Sequence, residues 1–449
     1  MVAIFAPAIV FPLHSPFNMN NTSKPFDEYP YLALPIEWTA PERLALASTF
    51  HGGPRTAPLT GRVLELGCAN GANLLPMAWY RRAASFVGID GSARQVETAE
   101  QCRKQLQLDN LSFIHADFQS ASERLEGQFD FIMTHGVVSW VTEEARQALF
   151  ELCKERLAPG GLLYLNYNSR PGWNIRGLVR QFLLEHTANA GDLQARAEMC
   201  KELSVRVIGP LSEIGHHYTQ LMASEFHLVG RSHPAYLAHE YLAPENNAWW
   251  RSEFMQMTSQ HGFDYVADAD FNSITNRSTG QLTDMMAEQG LTDEAVADSI
   301  DLLCYRQMHS PIMTHAGFER AMPDESEFSS LLLAANLSPG GGESAGSADF
   351  NHPSGHEIEV TDSQIRAALV KLWPQWPLSR PIGELFAEPE KVRGDIEYLT
   401  RVNLVEMRCV EPGDFDVDPE PLNRLEAEIR GHTTSPYHSI RPVEKNNRE

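Results

Sequence analysis

Between residues 62 and 168 short apolar runs alternate with amphipathic stretches, and this alternation sets the fold class. RVLELG (62–67), SFVGID (85–90), residues 111–116, FDFIMT (129–134) and LLYLNY (162–167) read as strands. Residues 71–82, 92–106 and 143–157 carry helical spacing, and Pro159-Gly160-Gly161 ends the last of them. Continuous apolar strands separated by helices predict a parallel sheet covered on both faces: a doubly wound α/β core over 61–170.

After Pro171-Gly172 the strand pattern stops, and residues 171–247 read as a helical insertion with breaks at Gly209-Pro210 and Pro234. A helix over 249–261 leads into FDYVA (263–267); a helix from 293 to 304 leads into QMHSPIMT (307–314). These two runs supply the last strands of a seven-stranded sheet, so residues 248–337 return to the core. Residues 338–357 are rich in Gly, Ser and Pro, a composition that predicts a flexible linker. Helical patterns over 361–373, 382–386 and 390–402, then LVEMRCV (404–410) as a strand, predict a small winged-helix-like domain over 358–449, frayed after Ser435.

A chain of 449 residues exceeds one ordinary core, in keeping with several units. Residues 1–13 are apolar but interrupted by Pro7 and Pro12, and they lack the basic start and cleavage site of a signal peptide; they read as a disordered leader. No run approaches the ~20 apolar residues of a membrane span. The six cysteines show no CxxC spacing and lie mostly in apolar runs, which predicts reduced, buried thiols, no metal site and a cytoplasmic protein. His216-His217 is no metal pair, because adjacent helical residues point in different directions. A net charge of −23 argues against a nucleic-acid partner and favours solubility, or steering of a cationic substrate.

Candidate chemistry gathers at the predicted strand tips. Glu65-Leu66-Gly67-Cys68-Ala69-Asn70-Gly71 follows the first strand, with glycine where backbone must turn tightly or approach a ligand. Asp90 ends the second strand, where a carboxylate can accept two ribose hydroxyls. Asp117-Phe118 at the third tip can bond an adenine amine and stack on its ring, and His135-Gly136-Val137 closes the pocket at the fourth. Glu65 suits the cationic methionine end of S-adenosylmethionine (SAM). A nicotinamide enzyme would carry GxGxxG, which this turn lacks.

These residues resemble the class I SAM-dependent methyltransferases. More narrowly, YPYLALPIEWTAPERLA (29–45), VLELGCANGANLLPMA (63–78), HGVVSW (135–140), NYNSRPGW (166–173) and HEYLAPENNAWW (239–250) are similar to a bacterial group carrying a methyltransferase regulatory domain. That group includes protein-lysine methyltransferases of outer-membrane proteins. The resemblance implies a Rossmann-like methyltransferase sheet, with SAM held by Glu65, Gly67, Cys68, Ala69, Gly71, Asn73, Asp90, Asp117, Phe118, His135 and Gly136, and with residues 1–60 covering the pocket. Ala69 departs from the glycine usual there, which a negative φ would accommodate. The acceptor would be a protein, a peptide or a small molecule, and a homodimer is compatible with this organisation.

On the acceptor side, Tyr167 and Asn168 end the fifth strand near His135 and Trp140, and the insertion offers His239, Glu240 and Tyr241. Tyr and Asn oxygens can accept hydrogen bonds from an ammonium, Trp140 can wall it, and Glu240 can anchor it or take its proton. Methyl transfer to a lysine-type amine on a polypeptide leads. An O-methyltransferase acting on a carboxyl or hydroxyl group is the alternative, and a non-enzymatic SAM-binding regulator is the third reading.

Overall fold

The computed structural model describes residues 27, 29–31, 34–270, 277–344, 347–353, 355, 357–411, 418 and 420–430. The apolar leader and the segment after Ser435 lie outside the described residues.

Strands β1 (Arg62–Leu66), β2 (Ser85–Asp90), β3 (Leu111–His115), β4 (Phe129–Thr134) and β5 (Leu157–Leu165) form the parallel part of a seven-stranded sheet. A β-hairpin-like pair completes it: β8 (Phe263–Asp268) lies at the edge, and β10 (Pro311–His315) runs antiparallel to both β5 and β8. The strand order β3-β2-β1-β4-β5-β10-β8 reverses direction between β1 and β4. Such a switch point opens a crevice at the carboxyl ends of those two strands.

Alternation along each strand explains why both faces are covered. Val63, Phe86, Met133, Leu162 and Tyr164 enter one core, while Leu64, Leu66, Ile132, Leu163 and Leu165 enter the other. The helices begin where a short polar side chain can cap them: Ser92, Thr142, Asp192 and Thr292 each accept the backbone N–H three residues on. The helix expected from residue 71 starts at Leu74 instead (Leu74–Tyr80), because Gly71 has φ +76° and belongs to the turn.

The strand expected to run to Tyr167 stops at Leu165. Asn166 breaks it: its Oδ1 accepts from Gly136 N at 2.6 Å and its Nδ2 faces Met308 Sδ at 3.1 Å. Beyond it β6 (Tyr167–Ser169) joins a separate small sheet with β7 (Ala248–Trp249) and β9 (Met308–His309). Residues 172–240 form four helices, Gly172–Thr187, Leu193–Ile214, His217–Arg231 and Pro234–Glu240, which share a core around Val179, Phe226, Leu237 and Tyr241.

Residues 338–357 are not a linker in the structure. Ser338–Ser344, Ser347–Asn351 and Glu357–Val360 form a three-stranded antiparallel sheet, anchored by the buried ring of Phe350. Its apolar contacts come from a core outside the segment, which composition alone does not register. That C-terminal core also takes Phe328, Leu331 and Leu333, which precede residue 338, together with helices Ser363–Leu372 and Pro389–Arg401. A short sheet of Leu332–Ala334, Arg380–Pro381 and Glu406–Arg408 closes it. Helix α1 (Pro41–Phe50) is shared: Leu44, Ala45 and Ala47 pack into the sheet's core, while Leu46 and Phe50 pack into the C-terminal one.

Candidate functional site

The strand-tip residues converge on the crevice at the switch point. Gly67 and Gly71 both have positive φ (+80° and +76°). A Cβ on Gly67 would lie 2.4 Å from Val137 Cγ2, so the turn must be glycine for a steric reason as well. Asp90 organises this turn: its Oδ2 accepts from Ala69 N and its Oδ1 from Ser92 N, each at 2.8 Å. Each carboxylate oxygen keeps a second acceptor site, which ribose hydroxyls can use. Ser92 Oγ in turn bonds Asp27 Oδ1 at 2.5 Å, bringing the N-terminal segment over this end of the crevice.

Ala69 corrects an expectation. Its φ is +48°, in the left-handed region, not negative. The bond from its N–H to Asp90 fixes that conformation, which costs an alanine on the order of 1 kcal/mol relative to glycine. An Ala69→Gly variant should therefore be more stable by about 0.5–1 kcal/mol, read as a raised midpoint in urea unfolding.

Glu65 is buried. Its Oε1 accepts from Asn73 Nδ2 at 2.8 Å, and its Oε2 has no hydrogen-bond partner. Asn73 is held by Ile36 N (2.8 Å) and Thr39 Oγ1 (3.0 Å), so the N-terminal segment also braces the partner of Glu65. Burial pushes the Glu65 carboxyl up to about 8. An orphaned acidic oxygen in a glycine-turned crevice fits the ammonium of SAM, whose arrival would ionise Glu65 and release a proton. SAM affinity should then rise up to tenfold per pH unit between pH 6 and 7.5, about thirtyfold in all, and the slope should vanish in Glu65→Gln. Calorimetric titration in buffers of differing ionisation enthalpy measures the released proton directly.

Asp117 is exposed and caps the short helix Phe118–Ala121. Its Oδ1 accepts from Ser120 N and Ser120 Oγ (2.8 and 2.6 Å), which holds its pKa below the usual carboxylate range. Phe118 is half-buried beside it, and Cys68 is buried in the turn with its thiol raised by burial. His135 Nδ1 bonds Tyr164 Oη at 2.8 Å, and burial lowers the imidazole to about 4, so the ring is neutral. Gly136 has φ +69°, with its N–H held by Asn166.

Four of the group-specific stretches meet in one wall that holds the candidate acceptor-side residues. His239 Nε2 meets Tyr29 O at 2.6 Å and its ring sits edge-on to Tyr31; Trp140 and Trp173 make an edge contact at 5.4 Å; Trp173 also touches Tyr241. Ser139 ties this together, with its Oγ accepting from Asn168 N and its carbonyl from Asn247 N, both at 2.8 Å. Glu240 ends its helix within this wall, with its carboxyl pushed up to about 8 by burial and pulled down by Arg176. It is near enough to Tyr31, Tyr236 and Tyr241 for its charge to raise their hydroxyl pKa values. Asn168 is buried and its Nδ2 has no hydrogen-bond partner.

Tyr167 is placed differently from the other candidates. Its ring stacks on Phe254 at 3.7 Å within the core on the far side of the sheet from Tyr164. Sequence reasoning overlooked Trp38 and Tyr164: Trp38 Nε1 donates to Tyr164 Oη at 3.0 Å, beside His135. Tyr164 looks like one more apolar strand residue, whereas the period-two alternation from Leu162 could have placed it on the His135 side. Among the described residues no group of three or more His, Cys, Asp or Glu side chains is arranged to hold a metal. No helix among them is long and apolar enough to cross a membrane.

Comparison with known proteins agrees with this fold. Residues 63–161 match the family model described as a methyltransferase domain, and residues 233–315 match the predicted methyltransferase regulatory domain. The uncharacterized Rickettsia prowazekii protein RP789 is 32% identical over 250 residues, 56% of this chain and 45% of its own length. RP028 of the same organism is 26% identical over 53% of this chain and 95% of its own length. The chain thus spans less than half of RP789. In three dimensions it is similar to PKMT2 from Rickettsia typhi in complex with AdoHcy, with a TM-score of 0.71 and 20% identity over 84% of this chain and 77% of that one. Residues 63–161 accordingly carry a methyltransferase domain and residues 233–315 a predicted methyltransferase regulatory domain, on a Rossmann-like methyltransferase fold.

Proposed function

We propose that this protein transfers the methyl group of SAM to a lysine-type amine on a protein or peptide. Glu240 carries the reading: a half-buried glutamate on the helix that ends the insertion, close enough to Tyr31, Tyr236 and Tyr241 for its charge to raise their hydroxyls. An acid with a pKa near 8 in an aromatic enclosure suits an incoming ammonium, which gains an anion and hydroxyl acceptors in place of water. The fold shared with PKMT2 of Rickettsia typhi supports it.

SAM supplies the electrophilic methyl. The protein's part is to deliver a neutral amine in line with it and to exclude water. For an unperturbed lysine, losing the proton at pH 7 costs about 4–5 kcal/mol. Glu240 accepts that proton as the amine lone pair forms the new C–N bond and the S–C electrons return to sulfur. Neutral His135, fixed by Tyr164, adds no competing positive charge.

Incubation with SAM and candidate polypeptides, followed by tandem mass spectrometry, tests the reading. A base-stable methyl on lysine is the expected product. Methanol released in mild base would identify a methyl ester and install carboxyl O-methylation in its place.

A further inference from the structure

Two largely buried charges in the insertion take no part in the chemistry described so far. Arg176, on helix Gly172–Thr187, donates through Nε to Glu225 Oε2 at 3.3 Å, and the two side chains are only 14% and 7% exposed. Glu225 lies on helix His217–Arg231, and its other oxygen, Oε1, accepts from the Tyr305 hydroxyl at 2.8 Å. The Arg176 guanidinium stands 5.7 Å over the ring of Trp173, which itself meets Trp140 and Tyr241. A buried ion pair returns little stability, because desolvating both charges offsets most of their attraction. Stability alone is therefore a weak reason for placing one here.

Tyr305 is an anchor fixed from outside the insertion. It holds φ +54°, a left-handed conformation unfavourable to a bulky side chain. The neighbouring Arg306 carbonyl accepts from Gly172 N at 2.9 Å, and a Cβ at Gly172 would lie 2.5 Å from that oxygen. The strained residue is thus locked to the first turn of the Arg176 helix, with its phenol on Glu225.

Arg176 also reaches the Tyr236 hydroxyl. Tyr236 precedes Glu240 by one helical turn, so the two share a face of helix Pro234–Glu240. The charged and titratable groups around Glu240 are Arg176 from the first insertion helix, Tyr31 from the N-terminal segment, and Tyr236 and Tyr241 from its own helix and the residue after it. Glu198 of the second insertion helix acts on Tyr29, and His239 is tied to the Tyr29 carbonyl.

We propose that Arg176 is a positioning residue for Glu240, shared between that carboxylate and Glu225, and that the Tyr305-anchored Glu225 sets how much of its charge Glu240 feels. This role rests on Glu240 being the proton acceptor proposed above. Arg176 pulls the Glu240 carboxyl down against burial. Glu225 keeps Arg176 from pairing with Glu240 outright, which would leave too weak a base.

Full-length protein carrying glutamate labelled with carbon-13 at Cδ, saturated with S-adenosylhomocysteine, reports the Glu240 carboxyl by NMR; its signal is the one lost in Glu240→Gln. Arg176→Met should raise the titration midpoint by about one unit or more, and Glu225→Gln should lower it. The double variant removes the buried pair as a neutral unit, so no stranded charge threatens folding. Its midpoint should match that of Arg176→Met, since Glu225 acts only through Arg176. A merely structural pair would loosen the site in each variant and move the midpoint one way. Shifts of the same sign in the two single variants, or a double variant no higher than wild type, would overturn the proposal. Inflections in kcat/KM that follow the NMR midpoints support both roles. Midpoints that move as expected while the inflection stays put would sink Glu240 as the base and leave the Arg176 arrangement standing.

Discussion

Glu240→Gln should lower kcat/KM for a lysine-bearing peptide by about a thousandfold at pH 7, within the range for losing a general base, with SAM affinity unaltered. The pH profile is the sharper readout. In the wild-type protein the productive pair is an ionised Glu240 and a protonated lysine. Because burial raises Glu240 to about 8, kcat/KM should climb tenfold per unit up to that pH. It should then stay level until the lysine itself loses its proton near ~10.4. In the glutamine variant only an already neutral lysine can react, so the rate should keep rising through pH 8 without a break. A wild-type profile with no inflection near 8 would remove Glu240 from the proton path.

Asp90→Ala should weaken SAM binding more than a hundredfold. Two charge-assisted hydrogen bonds to the ribose, at about 1.5–3 kcal/mol each, are at stake, although their effects will not simply add. The substitution also strands the N–H groups of Ala69 and Ser92, which now bond to this carboxylate. Asp90→Asn separates the two effects: it keeps one backbone acceptor and should fall between wild type and alanine. Calorimetric dissociation constants decide, and an unchanged value in a folded Asp90→Ala protein would place the ribose elsewhere.

The cofactor side was legible because it depends on local backbone requirements. Glycines with positive φ at 67 and 71 and carboxylates at successive strand ends leave a mark at fixed spacing. The acceptor side depends on contacts between distant segments, such as Tyr29 with His239, Trp140 with Trp173 and Trp38 with Tyr164, separated by 33 to 210 residues. Single-sequence periodicity carries no information about such pairs, which is why Tyr167 looked like a pocket residue and Trp38 did not. Ala69 shows the opposite case: a negative φ would have accommodated an alanine there, whereas a tertiary hydrogen bond to Asp90 holds it at a positive one. Likewise the Gly/Ser/Pro composition of 338–357 describes a chain with no core of its own, whereas Phe350 finds one among Phe328, Leu333 and Ile365.

The sharing of helix α1 between two cores has a thermodynamic consequence. Its start follows the turn in which Ile36 and Thr39 grip Asn73, and through it Glu65; Glu42 pairs with buried Arg81, and the Glu42 carbonyl meets Cys409 Sγ at 3.4 Å. A ligand that tightens the Glu65 end therefore also stabilises the helix on which the C-terminal core is packed. By linkage the effect is reciprocal: anything that binds or loosens the C-terminal core must change cofactor affinity by the same factor. The two units should melt in a single transition, and the cofactor should slow alkylation of Cys409, whose thiol meets the start of the helix.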